Sequence, residues 1–580
     1  MHKSLSYKIL AAVIALSSAN WAVPANVLAG AYIVKQDGEI VSGDYTSVYG
    51  NGYSFTINGG KIIGNVFGAG NGNKDYDKDA SGGNVTINGN AEVTGVVHGG
   101  RSYYGEAYNN TVNISGGTVT GNVYGGWSTS SSANDNEIII SGSADIAYAN
   151  LYGGYKDTDT GNTLTIDGWS DSTQSVKNFN YIAFKNINWQ NDETVLTITA
   201  GDADDLKNTT IDTIHIAGGS NINVGESMTL IDGNISSIGD VTDTFTAGVA
   251  REGLGSTNVN GNVVTFNINS IKLSSQAVSA AQTRAASAAF VNQGTDLISD
   301  SLDTISRDSN YGVKTFAAVH GNRSKYDVNS DIKINGWSVI AGVGNADKFD
   351  NGSEFSWGVF YENGSGNYRT YNEFNNDFFR GDGSLVYNGG GIAARYTNKN
   401  GVYTEGSLRA GMLKSDMDNA LRDGAGNFYG YESESAYYGA HIGIGKIISL
   451  SESSDLDVYG KFFHTYTEGD SFKVANDEFE FDSINSDRLR IGARITSNKE
   501  NKFSTYYGLA YEYEFNGDAD MTAQGLKAPT QSLQGSSIMA EVGFNYQPTP
   551  TSPWSFDLNM RGYTGERQGG SFNVQATYTF

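Results

Sequence analysis

The 580-residue chain is predicted to be all-β. We expect a parallel β-helix (a solenoid) on the N-terminal side and a twelve-stranded antiparallel transmembrane β-barrel on the C-terminal side, joined by one α-helix that threads the barrel. Three observations predict this. The last ten residues alternate strictly between apolar and polar, which is typical of a strand with one apolar face. Related units with paired glycines recur in the first half, and a single Ala-rich and Ser-rich helical segment follows them.

Residues 1–29 have the pattern of a secretory signal peptide. Lys3 and Lys8 precede the apolar run 9–16, and residues 27–29 form a small-residue cleavage site. The apolar run is too short to cross a bilayer as a helix, and no later stretch reaches the roughly 18 apolar residues that a membrane helix needs. We therefore expect an exported chain that enters a membrane only as a barrel. A buried N-terminal helix is the alternative.

The composition excludes several classes of function. The chain has no cysteine, so neither a disulfide framework nor thiol chemistry is available. Its formal net charge is −25, with 63 Asp and Glu against 38 Lys and Arg. This balance gives no basic footprint for the phosphates of a nucleic acid, so we expect no nucleic-acid partner. The acidic excess suits an exterior that is exposed to water.

Residues 30–271 are predicted to be a repeat domain. Ile57, Ile87, Ile114 and Ile140 occupy the same position in four related units, at intervals of 30, 27 and 26 residues. A period in this range, with short β-branched strands broken by glycine pairs, is typical of a solenoid. Each unit buries its apolar side only when the units stack. We interpret the domain as a right-handed parallel β-helix with Asn and Gly at its corners, and an irregular β-sandwich is the alternative.

Four loops follow the last glycine of each unit, so they should emerge along one edge of the stack. They differ in length and composition and lie at 71–83, 101–111, 127–136 and 155–162. Insertions on one face of a solenoid often form its binding face. The aromatic side chains that we expect to contact a ligand there are Tyr103, Tyr104, Tyr108 and Trp127. Solvated connections without a binding role are the alternative.

The repeat domain shows no catalytic or metal-binding motif. Asp75, Asp77 and Asp79 resemble the start of a calcium loop, but Ala80 stands where the turn of an EF-hand needs glycine. No zinc motif, nucleophile elbow or serine-protease signature occurs in this domain. His98 takes the place of ring residues in the neighbouring units, which indicates a stacked corner residue. We therefore predict no catalytic residue, no metal and no cofactor.

Residues 275–292 form the only strong helical pattern, within a linker helix that we place at 272–307. Ala, Ser and Gln dominate the segment, Ser274 or Ser275 is a suitable N-cap and Gly294 is a suitable stop. As a helix it would extend about 27 Å, close to the thickness of the hydrocarbon core of a membrane. It is too polar to face lipid and too small-sided to organise a core. It therefore fits the lumen of a barrel, and a surface helix between domains is the alternative.

Residues 308–580 are predicted to form the barrel. In one of the clearest of its amphipathic strands, Leu489 and Ile491 alternate with Arg488 and Arg490. An apolar outer face and a charged inner face are the arrangement of a membrane barrel. Short connections lie at 350–353, 398–401, 451–454, 498–501 and 548–552. Long ones alternate with them, at 322–335, 365–383, 414–434, 468–486 and 516–535. We expect the short turns to face the periplasm and the long loops to face outward.

Charged residues on the inner faces of these strands should line the lumen. Buried charges need partners, so we expect Arg284 of the helix to pair with one of the lumen glutamates. Solvation of all these groups by pore water is the alternative. The predicted lumen and plug residues are Arg284, Glu405, Arg488, Arg490, Arg494, Glu512, Glu514 and Glu541.

The run KLSSQAVSAAQTRAASAAFVNQGTDL and the amphipathic C-terminal strand resemble those of monomeric autotransporters of type V secretion, at corresponding places in the chain. The resemblance covers the signal peptide, the helix and the barrel, and for the repeat domain it is architectural. It implies export through the Sec translocon and insertion into outer-membrane lipid by the barrel-assembly machinery. It also implies a monomeric barrel that displays the repeat domain as a surface passenger. The residues that it assigns to the assembly signal are Phe572, Tyr578 and Phe580.

The passenger is expected to be an adhesin-like module for an unknown surface ligand on a host or neighbouring cell. Some autotransporters cleave themselves at an Asn-Asn pair in the linker helix, but here Asn292 precedes Gln293, so we expect the passenger to stay attached. One alternative is an outer-membrane pore with a periplasmic repeat domain. Another is a polysaccharide-active passenger, with Asp145, Asp157 and Asp159 as candidate carboxylates.

One tripeptide in the barrel matches a known recognition sequence. Arg380-Gly381-Asp382 lies in the predicted loop 365–383 and suggests integrin binding. The same tripeptide arises readily by chance in a chain that is rich in Gly and Asp.

Overall fold

The computed structural model describes residues 29–70, 78–200, 204–233, 235–307, 310–328, 331–374, 377–498, 502–549 and 552–580. Within these ranges the chain is almost entirely β, with one long helix. No helix in the described part is both long and apolar enough to cross a bilayer. The segment 1–28 of the predicted signal peptide lies outside the described residues, and so do Asp75 and Asp77 of the acidic run.

The repeat domain is built from short parallel strands that stack unit on unit. Ile57, Ile87, Ile114, Ile140 and Ile166 pair with one another in register across successive units. These side chains are buried in one continuous apolar core. The predicted stacking of parallel repeats is therefore confirmed, while the right-handed course of the chain stays a prediction.

Three sheets carry most of the parallel strands. The first contains Tyr32–Ile33, Val48–Tyr49, Val66–Ala69, Val97–Ser102, Asn122–Ser128, Asn150–Tyr152 and Ser175–Lys177. The longest contains, in spatial order, Asp171–Thr173, Thr194–Ile198, Ser227–Gly233, Val263–Leu273, Arg251–Asn260, Thr244–Ala247, Thr210–Ile216, Tyr181–Ile187, Thr163–Asp167, Glu137–Ser141, Thr111–Ile114, Asn84–Asn88, Phe55–Asn58 and Glu39–Val41. The third contains Lys61–Ile62, Glu92–Val93 and Thr118–Val119. Two further pairs are Ala80–Ser81 with Ala107–Tyr108 and Asp204–Leu206 with Ile235–Ile238.

The stack ends in antiparallel strands. Thr244–Ala247 pairs antiparallel with Arg251–Asn260, which pairs in turn with Val263–Leu273. The predicted boundary at residue 271 falls inside the last of these strands. The final turn of the domain thus differs from the parallel units before it, and we call residues 244–273 the end cap.

One corner of the stack carries a column of aromatic rings. His98 lies between Phe67 and Tyr124, with ring centroids 5.2 and 5.3 Å away, and Tyr49 and Tyr152 extend the column. The predicted stacked position of His98 is confirmed. Burial among the rings lowers the pKa of His98 to about 3, because an imidazolium ion there would lose its hydration.

A second column consists of buried asparagines. Nδ2 of Asn110 donates to Oδ1 of Asn136 at 2.9 Å, and Nδ2 of Asn136 donates to Oδ1 of Asn162 at 3.1 Å. The same amide oxygens accept the backbone N–H groups of Asn110 and Asn136, at 3.1 and 3.0 Å. Each amide therefore satisfies buried backbone groups of its neighbour, as expected for asparagines at the corners of stacked units.

The C-terminal half is a closed antiparallel barrel of twelve strands, as predicted. Neighbouring strands follow chain order, and the first pairs with the last to close the cylinder. The strands are Gly312–Asp327, Asp331–Lys348, Glu354–Phe374, Asp377–Thr397, Val402–Arg422, Phe428–Ser451, Ser454–Thr467, Ile484–Ser497, Phe503–Glu514, Gly535–Tyr546, Trp554–Gly565 and Arg567–Thr579.

The two faces of the barrel alternate as the sequence predicts. Arg488, Arg490 and Arg494 are buried inside, whereas Ile491 and Ile495 on the same strand are 54 and 44 % exposed. An apolar exterior around a charged interior is the reverse of a soluble barrel and suits a lipid environment.

The long connections lie at one end of the barrel, but they are mostly strands, so the prediction that they are loops is wrong. Predicted loop 365–383 is a pair of strands, Glu354–Phe374 and Asp377–Thr397, that stay paired to their ends. Arg380-Gly381-Asp382 therefore lies within a strand. Continued pairing satisfies backbone groups that a loop would leave to water. Residues 468–486 and 516–535 contribute an outer sheet, made of Asp470–Val474, Asp477–Phe481, Met521–Ala523 and Leu526–Lys527, and a separate pair of strands, Asp518–Ala519 and Gln531–Ser532.

Replacing His98 by Phe, the residue at its place in the preceding unit, should remove a pH-dependent loss of stability. The unfolded chain takes up a proton near pH 6.5 and the folded stack only near pH 3, so the unfolded state binds more protons between these values. Wild-type stability is therefore complete above pH 6.5 and falls below it, by about 1.4 kcal/mol per pH unit. Urea unfolding of the full chain at about pH 7.5 and about pH 5, followed by tryptophan fluorescence, measures this difference.

Tyr104→Phe serves as the matched control, because Tyr104 is an exposed ring in the same unit. This variant should keep the wild-type pH dependence. An unchanged loss of stability in the His98→Phe variant would show that the buried imidazole is not its origin.

Candidate functional site

The lumen of the barrel is filled by the helix Ser275–Arg307, which we call the lumen helix. The prediction that it stops at Gly294 is wrong, because the helix passes through that residue. A Cβ atom on Gly294 would come within 2.5 Å of Nη1 of Arg409 and 2.6 Å of the hydroxyl of Tyr387. Glycine is thus needed here for close packing against the barrel wall and does not end the helix.

The ends of the lumen helix mark the two ends of the barrel. Its first turns pack with Met417, Leu421 and Phe479, at the end that carries the long connections. At its last turn, the carbonyl of Ile305 accepts a hydrogen bond of 3.4 Å from Nζ of Lys314, at the start of the first barrel strand. The chain therefore enters the barrel at the end with the long connections and leaves at the end with the short turns.

Three aspartates place negative charge along one face of the lumen helix. Asp296, Asp300 and Asp303 are four and three residues apart, the spacing that aligns side chains on a helix. All three are buried. Sequence reasoning did not name them as lumen residues because the helical pattern that it recognised ended at residue 292. The available signal was this spacing, opposite the inward-facing arginines of the barrel strands.

Asp296 lies at the centre of the largest charge cluster. Its carboxylate is 2.8 Å from Nη2 of Arg490, 2.9 Å from Nη1 of Arg567 and 3.2 Å from Nη1 of Arg488. Glu512 of the barrel wall adds a second carboxylate, 2.6 Å from Arg490. Charges buried this deeply are tolerated only when each has an opposite partner.

The other two aspartates continue this pairing toward the end of the helix. Asp300 binds Arg561 through both oxygens, at 2.7 and 2.5 Å. The carboxylate of Asp303 lies 2.8, 3.1 and 3.2 Å from three basic side chains, which are Arg395, Lys461 and Arg494. Bidentate and shared contacts of this kind fix the rotation and the depth of the helix.

The predicted lumen glutamates are bound within the barrel wall. Glu541 lies 2.7 Å from Arg494, and Glu405 lies 2.7 Å from Lys461. Glu514 accepts two hydrogen bonds of 2.7 Å, from the hydroxyl of Ser486 and the backbone N–H of Asp487. The structure therefore brings Glu512, Glu514 and Glu541 together with the predicted lumen arginines. Glu405 instead contacts Lys461 and Arg395, which were not predicted.

Arg284 does not pair with a lumen glutamate, so that prediction is wrong. Its Nη1 donates to Oγ of Ser435 at 3.0 Å, and its Nη2 donates to the carbonyl oxygens of Glu468 and Asp482, the latter at 3.1 Å. The ring of Phe481 lies 5.6 Å from its guanidinium carbon. Arg284 lies twelve residues before Asp296, near strand ends whose carbonyl oxygens accept its hydrogen bonds. The lumen glutamates pair with other basic side chains.

The outer sheet holds the end cap of the repeat domain through one carboxylate. Asp477 is fully buried, and its Oδ2 accepts the backbone N–H groups of Val249 and Ala250, at 2.7 and 2.9 Å. Its Oδ1 accepts the N–H of Gly219 at 2.9 Å, and Nη2 of Arg251 lies 3.9 Å away. A barrel side chain thus caps backbone donors of the repeat domain. No sequence pattern pointed to Asp477.

The aromatic residues predicted at the binding edge differ in their surroundings. Tyr104 is 63 % exposed, and Tyr108 is half-buried in the strand Ala107–Tyr108. Trp127 packs edge-on against Tyr103 at 5.2 Å, and the guanidinium of Arg101 lies 4.7 Å from its ring centroid. The structure therefore joins Tyr103 and Trp127 around a cation and leaves Tyr104 open to solvent.

Two of the three carboxylates considered for polysaccharide cleavage serve local structure, and the third, Asp157, is exposed. Asp159 is buried and accepts the backbone N–H groups of Ala133 and Lys156, at 3.0 and 2.8 Å. Asp145 accepts the hydroxyl of Thr118 at 3.2 Å. Within the described ranges, no group of three His, Cys, Asp or Glu side chains is arranged to hold a metal ion.

The residues predicted as an assembly signal face outward on the last strand. Phe572 and Phe580 are 49 and 75 % exposed. Tyr578 lies between Phe580 and Trp554, with ring centroids 4.9 Å away on each side. These rings belong to the apolar exterior, at the place where the last strand closes the barrel.

Comparison with known proteins finds a family match within the barrel. Residues 315–560 match the family described as Autotransporter beta-domain. Among solved structures, the translocator domain of NalP from Neisseria meningitidis is 12 % identical, with a TM-score of 0.38, covering 50 % of this chain and 97 % of that one. The β-domain of Bordetella BrkA (12 % identity, TM-score 0.37) covers 46 and 100 %, and the transport unit of AIDA-I from Escherichia coli (12 %, 0.35) covers 47 and 92 %. No curated protein matches the chain.

Replacing Asp296 by Asn should loosen the lumen helix, because three buried guanidiniums lose their shared carboxylate. Breaking a buried ion pair costs about 3 to 5 kcal/mol. We expect a lower temperature for the heat-induced mobility shift of the barrel in SDS gels and a higher single-channel conductance in planar bilayers.

Ser301→Ala is the control, since its hydroxyl lies buried on the same helix and has no hydrogen-bond partner among the described residues. It should leave both quantities at the wild-type level. Wild-type conductance and heat stability in Asp296→Asn would contradict the assignment of this aspartate as an anchor of the helix.

Replacing Asp477 by Ala should free the end cap, because three backbone N–H groups lose a charged acceptor. The loss is expected to weaken the junction by about 2 to 4 kcal/mol. Limited proteolysis of the purified full chain should then cut near residues 219 and 249 faster than in the wild type, with the heat stability of the barrel unchanged.

Glu478→Ala is the matched control, because Glu478 is the exposed neighbour in the same hairpin. It should be cut at the wild-type rate. Equal protection of the junction in both variants would rule out a capping role for Asp477.

Proposed function

Since the barrel is an autotransporter β-domain of the outer membrane, we propose that the chain uses it to display the repeat domain on the cell surface and keeps it attached there. The observation that carries the proposal is the course of the lumen helix. This helix leads from the repeat domain, at the end with the long connections, to the end with the short turns. In outer-membrane barrels the short turns face the periplasm.

Several contacts favour a passenger that stays attached. Asn292 of the lumen helix is buried, its Nδ2 donates to Oγ of Ser486 at 2.8 Å, and its carbonyl accepts Nη2 of Arg488 at 3.1 Å. The helix runs unbroken through Asn292 and Gln293. Asp477 adds a second, noncovalent link between barrel and repeat domain.

The passenger is proposed to act as an interaction module of the adhesin type and not as an enzyme. Asp145 and Asp159 bind local groups, so the exposed Asp157 has neither of the other two candidates available as a catalytic partner. Exposed rings are available instead, with Tyr104, Tyr148 and Tyr155 at 63, 71 and 42 % exposure. Aromatic side chains of this kind are frequent in binding surfaces. The ligand is proposed to lie on a host or neighbouring cell.

A pore for solutes is disfavoured by the filled lumen. The lumen helix occupies the barrel and is tied to its wall by the ion pairs of Asp296, Asp300 and Asp303. We propose that the barrel is monomeric, that the Sec translocon exports the chain and that the barrel-assembly machinery inserts it. The outward rings of Phe572, Tyr578 and Phe580 are proposed to be read in that last step.

Protease shaving of intact cells tests the proposed display. An epitope tag after Ser130, an exposed position in the repeat domain, should be lost when protease is added to intact cells. A barrel fragment that begins near residue 272 should remain in the membrane. Immunoblots against the tag and against the barrel give the result.

A second tag after Lys399, in a short turn, provides the matched control. It should resist protease on intact cells and become accessible only when the outer membrane is permeabilised. The opposite pattern, with a protected Ser130 tag and an accessible Lys399 tag, would place the repeat domain in the periplasm and support the pore.

A further inference from the structure

A row of cations crosses the outside of the barrel near its outer rim. Lys325, Lys333 and Arg369 are direct cross-strand partners on three neighbouring strands. Their side chains face outward, since Lys333 alternates with the buried Ile332 and Ile334. Like charges directly opposite one another destabilise a sheet, so this arrangement needs negative charge beside it.

Nearby carboxylates neutralise only part of this positive charge. Asp331 lies 2.7 Å from Nζ of Lys325. Asp382 is shared between Arg369 at 2.7 Å and Arg380 at 2.6 Å. Two carboxylates thus pair with three cations, which are Lys325, Arg369 and Arg380.

Lys333 of the row and the neighbouring Arg323 have no carboxylate partner in the described part of the chain. The ammonium group of Lys333 lies 4.6 Å from the ring centroid of Tyr371, and Arg323 is exposed beside it. All five cations line one cleft of about 890 Å³. Asp416 and Asp418 are the other carboxylates on its wall.

Toward the middle of the barrel, the same face becomes apolar. Trp337 is 47 % exposed, and Phe572 is 49 % exposed on the other side of Gly321, which is the cross-strand partner of both. Trp337 lies four residues from Lys333 on the same strand, which is about 13 Å along the strand and about 10 Å along the membrane normal at a tilt of about 40°. Tryptophan marks the membrane interface, so the cation row lies at the level of the lipid headgroups.

We propose that this cleft binds the phosphate groups of an anionic lipid in the outer leaflet, with the acyl chains of the lipid against the face around Trp337. A phosphate group offers several acceptor oxygens, and Lys333 and Arg323 are free to bind them. Its negative charge would also relieve the repulsion within the row. The assignment to the outer leaflet rests on the orientation given under the proposed function.

The test compares lipids that differ only in their phosphates. The full chain is purified in detergent, and binding of a bis-phosphorylated glycolipid is measured by native mass spectrometry beside the same glycolipid without phosphates. The double variant Lys333→Gln with Arg323→Gln should bind the phosphorylated lipid about tenfold more weakly. The wild type should prefer the phosphorylated form by a similar factor.

Lys399→Gln with Lys446→Gln is the control, because it removes the same charge from exposed positions near the short turns. This variant should bind lipid as the wild type does. Equal lipid binding by both double variants would overturn the proposal, and so would full competition by inorganic phosphate, which would indicate a site for the free ion. A heat-shift gel confirms that each variant is folded.

The shaving assay separates this proposal from the proposed function. A wild-type chain that displays its Ser130 tag but binds both glycolipids equally would refute the lipid site alone. Phosphate-selective lipid binding together with a protected tag would refute surface display alone.

Discussion

The ion pairs between the lumen helix and the barrel wall are the interaction on which the rest of the structure depends. Asp296, Asp300 and Asp303 contact seven bases of the wall, namely Arg395, Lys461, Arg488, Arg490, Arg494, Arg561 and Arg567. Without the helix these buried cations would face one another with too few carboxylates, at a cost of several kcal/mol for each unpaired ion. The barrel and its helix therefore require each other, and the depth of the helix sets where the repeat domain begins.

The repeat domain solves the corresponding problem for backbone groups. Inside the stack, each unit satisfies the next one, as Asn136 does for Asn110. The last unit has no successor, so its N–H groups need another acceptor. The chain ends the stack with antiparallel strands and then uses Asp477 of the barrel to cap Val249 and Ala250. The barrel and the repeat domain are thus joined by contacts that pair buried polar groups.

Features with a local period could be predicted from the sequence, and features that depend on distant contacts could not. The alternation around Arg490 and the recurrence at Ile57 and Ile87 follow from the geometry of strands, and both were predicted correctly. Gly294 carries the local signal of a helix stop, but packing against the barrel wall overrides that signal. The partner of Arg284 lies 151 residues away, at Ser435, where no local pattern reveals it.

Charge pairing also explains why two groups of cations in one barrel have different consequences. In the lumen the chain supplies its own anions, because the aspartates of the lumen helix form ion pairs with the arginines of the barrel wall. On the outer face, the described residues give the row of Lys325, Lys333 and Arg369 fewer carboxylate partners than cations, although the chain as a whole carries a formal charge of −25. A chain with so many acidic residues has no shortage of anions to place there. The missing negative charge therefore points to a partner from outside the chain, and at that height the membrane supplies it.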